Sequence, residues 1–83
     1  MKPACKDDIR GWFEAGKLRG ATHMMVVCDT RDNDDYPVYV MPHEKVKEVF
    51  DRYNGPNMQR VMEVYRLDCN MEDQLRAERV FII

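Results

Sequence analysis

The side chains able to do chemistry in this 83-residue chain are few and dispersed. The densest group is DTRDNDDY, residues 29 to 36, which places Asp29, Asp32, Asp34 and Asp35 in one polar run. Clustered carboxylates are hard oxygen donors of the kind that hold Ca²⁺ or Mg²⁺, so these four are the candidate metal ligands. The run lacks the glycine and the distal glutamate of an EF-hand loop, and Asp, Asn and Arg also fill ordinary solvated hairpin loops. His23 and His43 are the only imidazoles, so general-base catalysis or imidazole ligation would have to use one of them. Cys28 and His23, as nucleophile and base, lie five apart on one apolar run. In a strand, that odd offset sends them to opposite faces. There is no serine and no GxGxxG or GxxxxGK[ST] pattern, which excludes serine hydrolases and P-loop enzymes. No catalytic residue and no cofactor are expected.

Thirteen basic and fifteen acidic side chains leave a formal charge of −2. No global field therefore draws the chain to nucleic acid or anionic lipid. Arg52, Arg60, Arg66, Arg76 and Arg79 are interspersed with acids and read as solvated ion pairs, so a nucleic-acid partner is not expected. No apolar run reaches the roughly 18 residues that span a bilayer, and MKPACKDDIRGW has no signal-like apolar stretch. The expected setting is the cytoplasm, without membrane association. Cys5, Cys28 and Cys69 match no zinc or redox spacing and read as reduced thiols, with Cys28 buried.

The elements that must position these groups follow from the apolar pattern. Asp7 or Asp8 caps a first helix carrying Ile9, Trp12 and Phe13 on one face, and Gly20 ends it. THMMVVCDT, residues 22 to 30, is continuously apolar at its centre and reads as a strand covered on both faces. YPVYVM, residues 36 to 41, is a second strand entered at Pro37, so a seven-residue loop would join an antiparallel hairpin. Pro42 opens a second helix with Val46, Val49, Phe50 and Tyr53 at helical spacing, and Asn54-Gly55-Pro56 stops it. MQRVMEVYRL, residues 58 to 67, carries both periodicities. It is read as the third strand, because an isolated hairpin is only marginally stable. Asn70 caps a last helix from Met71 to about Arg79, and an apolar tail, Val80 to Ile83, follows.

The expected fold is a single α+β domain over residues 1 to 83, order α-β-β-α-β-α. A three-stranded sheet, built from a hairpin and one right-handed crossover strand, packs against helices. Eighty-three residues bury only about 60 to 65 % of the unfolded surface, so the core is thin and a second copy covering sheet edges would enlarge it. Tyr36, Tyr39, Phe81, Ile82 and Ile83 are the candidate partner-facing residues, because hairpin and terminal positions are the least committed to the core.

Three blocks, GATHMMVVCDT, DYPVYVMP and RYNGPNMQRVMEVY, resemble a family of short proteins from bacteria, bacteriophages and environmental sequences that carries no known activity. The resemblance spans about residues 9 to 79 and implies an accessory protein of phage or mobile DNA acting by contact. DTRDNDDYP departs from that pattern, with Arg31 and Asn33 where the pattern has an aromatic and a histidine-like residue. The expected function is a non-enzymatic protein-interaction module, self-associating into a homo-oligomer. The alternative is a small-ligand or divalent-cation binder using the acidic loop, residues 29 to 35.

Overall fold

The computed structural model describes residues 4–77 and 80–82. Helix α1, Lys6–Leu18, is followed by strands β1, His23–Asp29, and β2, Asp34–Val40, then helix α2, Val46–Tyr53. A 3₁₀ turn, Pro56–Met58, leads into strand β3, Gln59–Arg66, and helix α3, Met71–Leu75. The sheet order is β2-β1-β3, with β1 antiparallel to both neighbours. Strands β2 and β3 therefore run parallel to each other, and the connection through α2 crosses over β1. This is the α-β-β-α-β-α arrangement expected from the pattern.

The central strand explains its own composition. Met24 and Val26 join Ile9, Phe13, Tyr65, Leu67, Leu75 and Val80 in one core cluster, on the side of α1 and α3. Met25 and Val27 join Val40, Val49, Val61 and Val64 in the other, beneath α2. Alternate residues of β1 thus serve opposite cores, and a strand flanked by helices on both faces needs apolar side chains on both. Phe13 meets Tyr65 edge-on, ring centroids 6.5 Å apart. Between Val26 and Val27 the pairing with β3 shifts by one residue, so Glu63 faces Val26 while Val61 faces Val27. This bulge leaves Met62 as the extra residue and keeps both Val61 and Val64 in the α2-side core.

Several boundaries move relative to the sequence reading. The hairpin loop is four residues, 30 to 33, because β2 begins at Asp34 and the acidic run is partly strand. Asn33 takes the left-handed conformation at φ 53°, which tightens the turn. Helix α1 is capped at Cys5, with Asp8 in the third position, its carboxylate accepting from the Cys5 N–H at 3.2 Å. Helix α2 begins at Val46 and not at Pro42, because the Glu44 carboxylate turns back to accept the Met41 N–H at 3.0 Å. Helix α3 ends at Leu75, with Asn70 Oδ1 accepting the Asp73 N–H at 3.0 Å, and Arg79 lies outside the described residues.

The outer edge of β3 is sealed along its length. Val64 donates to the Val80 carbonyl at 2.6 Å and accepts from the Ile82 N–H at 3.0 Å. Residues 80 to 82 thus form a short parallel extension of the sheet. The Gln59 carbonyl accepts from the Gly55 N–H at 2.7 Å, and Asn54 Oδ1 accepts the Val61 N–H at 3.2 Å.

Candidate functional site

Three connections converge at the end of the sheet where β1 starts and where β2 and β3 finish. They enclose an open cleft of about 520 Å³, within the range of small-molecule sites. Thr22 and Ala21 come from the link between α1 and β1, Pro42 and Glu44 from the link between β2 and α2, and Leu67 and Asp68 from the link after β3. Lys17 from the last turn of α1 and Val46 from the start of α2 complete the walls, with His23 and Arg66 at the strand ends. His23 and Arg66 are cross-strand partners. Both belong to the α2 face, because Met25 and Val64, two residues along their strands, lie in the core beneath α2.

The cleft combines an apolar wall with a small polar set. Arg66 and Asp68 close on each other, Nε to Oδ1 at 3.0 Å and Nη2 to Oδ2 at 2.7 Å, so their charges largely cancel. The same pairing holds the Asp68 carboxyl below the usual carboxylate range. Glu44 is occupied by the Met41 N–H. His23 is pushed below the ordinary imidazole value, first by desolvation and then by the Arg66 charge, with Asp68 opposing. It is therefore neutral at pH 7. Its Nδ1 lies 2.9 Å from Thr22 Oγ1, and the same hydroxyl stands 3.2 Å from the Val40 carbonyl. Lys17 makes no ion pair among the described residues.

The acidic run does not gather into a comparable site. Asp29 accepts from the Arg31 N–H at 3.0 Å and from its guanidinium at 3.4 Å, which holds its carboxyl below the usual range. Asp35 accepts the Ala4 N–H at 2.9 Å from the other side of the hairpin. Asp34 sits opposite Asp29 in the strand register, and Asp32 is exposed on the loop. No three His, Cys, Asp or Glu side chains are grouped to hold a metal ion among the described residues. The strand alternation that begins at Asp34 sends Asp34 and Asp35 to opposite faces, so Asp34 shares a face with Asp29 and Asp35 does not.

The candidate contact residues are largely engaged within the chain. Tyr39 packs on the α1-side core, its hydroxyl donating to the Trp12 carbonyl at 3.0 Å and its ring lying under Arg19 at 4.8 Å. Tyr36 packs on the α2-side core and accepts from Gln59 Nε2. Ile82 packs against the α1-side core, Phe81 remains 48 % exposed, and Ile83 lies outside the described residues. His43 is exposed on the turn before α2. The three thiols are free, and Cys28 is only partly buried, its thiol pushed up first by desolvation and then by Asp35.

No protein-family model, no curated protein and no solved structure matches the chain. No helix among the described residues is long and apolar enough to cross a membrane. Of the cleft residues, only His23 stood out in the sequence as a candidate. Thr22, Glu44, Leu67 and Asp68 belong to three separate connections and Lys17 to the last turn of α1, and only the fold brings them together.

Proposed function

We propose that this chain is a binding module whose ligand is a small organic molecule seated in the cleft between Lys17, His23 and Leu67. One observation carries this reading. The cleft couples an apolar wall of Pro42, Val46 and Leu67 to two polar groups, the His23 ring and the Lys17 ammonium, that the fold leaves available. Ligand sites characteristically join a largely apolar lining to a few convergent polar groups. A fragment screen followed by amide NMR tests it. Binders are expected to move the Thr22, His23, Leu67 and Asp68 resonances together. Hits that leave these four amides unmoved would overturn the reading.

A second reading, a contact module that pairs with its own copy, is favoured by the tail. Phe81 stays half exposed although its neighbours Val80 and Ile82 pack inward. Light scattering across a concentration series is the test. A mass that rises with concentration in the parent chain and not in Phe81→Ser supports pairing through the tail, and a constant single-copy mass removes it.

A further inference from the structure

The state of one imidazole narrows the ligand class. Thr22 has a single hydroxyl proton and two acceptors within its reach, His23 Nδ1 at 2.9 Å and the Val40 carbonyl at 3.2 Å. With that proton on the Val40 carbonyl, the 2.9 Å contact between Thr22 Oγ1 and His23 Nδ1 takes its proton from the ring. In that arrangement neutral His23 carries its proton on Nδ1 and leaves Nε2 bare, an acceptor with no partner among the described residues. A ring in a cleft with a bare acceptor selects a ligand that brings a donor, because a molecule lacking one leaves that nitrogen unpaired.

The charge inventory supplies the second constraint. The Arg66 guanidinium is closed by Asp68, the Asp68 carboxylate is closed in return, and Glu44 holds the Met41 N–H. The Lys17 ammonium is the charged group lining the cleft to which the described residues give no partner. It stands at the end of α1, with the apolar wall of Pro42, Val46 and Leu67 in the same cleft.

We propose that the Thr22 hydroxyl donates to Val40 and so fixes this tautomer, and that the cleft takes an amphipathic organic anion that also carries an N–H or O–H donor, with the anion at Lys17, the donor on His23 Nε2 and the apolar body against Val46 and Leu67. This rests on the reading of the cleft as a ligand site and adds the ligand's chemistry. Thr22 acts here as a positioning residue, fixing the ring tautomer without touching the ligand.

The test compares indole-3-propionate with 1-naphthylpropionate, two acids of similar shape of which only the first has a ring N–H, at pH 7.5 by amide NMR titration. The indole acid is expected to bind about five- to tenfold tighter in the parent chain, the worth of one hydrogen bond. That preference is expected to vanish in Thr22→Val and return in Thr22→Ser, while Lys17→Met weakens both acids alike. Imidazole ¹⁵N shifts of the parent chain, which need no variant to fold, are expected to show Nδ1 protonated and Nε2 bare. Equal binding of the two acids at the cleft amides, or an Nε2-protonated ring, overturns this inference and leaves the ligand site standing. Binding of uncharged fragments at those amides with neither acid binding overturns the anion assignment alone. Absence of any fragment at those amides overturns both.

Discussion

Gln74 pairs with Arg66 as a neighbouring strand would. Its Oε1 accepts the Arg66 N–H at 2.9 Å, and its Nε2 donates to the Arg66 carbonyl at 2.9 Å. A primary amide carries the same donor and acceptor as a peptide group, so a side chain from α3 finishes the β3 edge where the tail, residues 80 to 82, does not reach. Gln74 is the one buried polar residue among those described, 6 % exposed, and none of its buried polar atoms lacks a partner.

Replacing Gln74 by Leu keeps the bulk and strands both backbone groups of Arg66. Unpaired buried groups cost about 1 to 3 kcal/mol each when water cannot replace the partner, so a loss of about 2 kcal/mol or more is expected. For a domain this size, that is a fall in Tm of about 10 °C. Gln74→Glu, which keeps the acceptor for Arg66 N–H but turns a carboxylate oxygen toward the Arg66, Cys69 and Asn70 carbonyls, is expected to fall at least as far in a thermal melt.

Two glycines of α1 should respond in opposite directions to the same substitution. A Cβ on Gly16 would stand 2.8 Å from Leu67 Cδ1 and 2.9 Å from the Tyr39 ring, whereas one on Gly11 would meet nothing within 4 Å. Tyr39 is held by the Trp12 carbonyl and by Arg19, so its ring cannot simply swing away. Gly16→Ala is therefore expected to destabilise by about 1 to 3 kcal/mol, as overpacking does. Gly11→Ala is expected to stabilise by about 0.5 to 1 kcal/mol through helix propensity. Urea unfolding of the two variants beside the parent chain checks both signs in one experiment.

The free edge of the sheet is guarded by one residue. Val64 and Arg66 turn their backbone groups outward, so Tyr65 faces β1. By alternation, His23, Met25, Val27 and Asp29 face β2, which leaves Asp35, Pro37 and Tyr39 as the outward positions of β2. The missing N–H of Pro37 thus falls on the solvent side, where proline is tolerated in a sheet and where it obstructs a docking strand. Pro37→Thr restores that donor, and its light-scattering mass is expected to rise above that of the parent chain at equal concentration. An unchanged mass would mean that the carboxylates of Asp34 and Asp35 guard the edge without the proline.

What the sequence discloses about this molecule depends on whether the signal is local. The four consecutive apolar residues from Met24 to Val27 announce a strand between two cores. Asn54-Gly55-Pro56 announces a stop, because Gly55 adopts φ 122°, a conformation open to glycine and strained for other residues. Beta-branched composition settles 59 to 66 as a strand despite its helical spacing, since tertiary pairing with β1 prevails over periodicity. The start of α2 falls at Val46 and not at Pro42, because Pro42 and Glu44 carry helix-entry chemistry that a preceding turn uses equally well. The cleft itself was illegible. Lys17 ends a helix while Thr22, Glu44 and Asp68 lie in three connections, and nothing in their spacing says that a split crossover sheet brings them to one end.

The lowered titration of His23 ties the cleft to stability, and its direction can be worked out. The unfolded ring titrates near its ordinary value of about 6.5, while the folded ring, desolvated and facing Arg66, takes up its proton at lower pH. Between those two values the unfolded chain binds more protons than the folded one, so stability rises with pH through that window. His23 thus contributes stability that is fully present above about pH 6.5 and is lost as the pH falls through the folded value. Asp29, Asp68 and Glu72, each held below its ordinary value by hydrogen bonds from an arginine, act in the same direction but in a lower window, below about pH 4. Urea midpoints measured from pH 8 to pH 5 are expected to decline in the parent chain and to be flatter in His23→Gln, whose side chain does not titrate. A parent profile as flat as that of the variant would show that the ring titrates as it does in water, and that the cleft does not desolvate it.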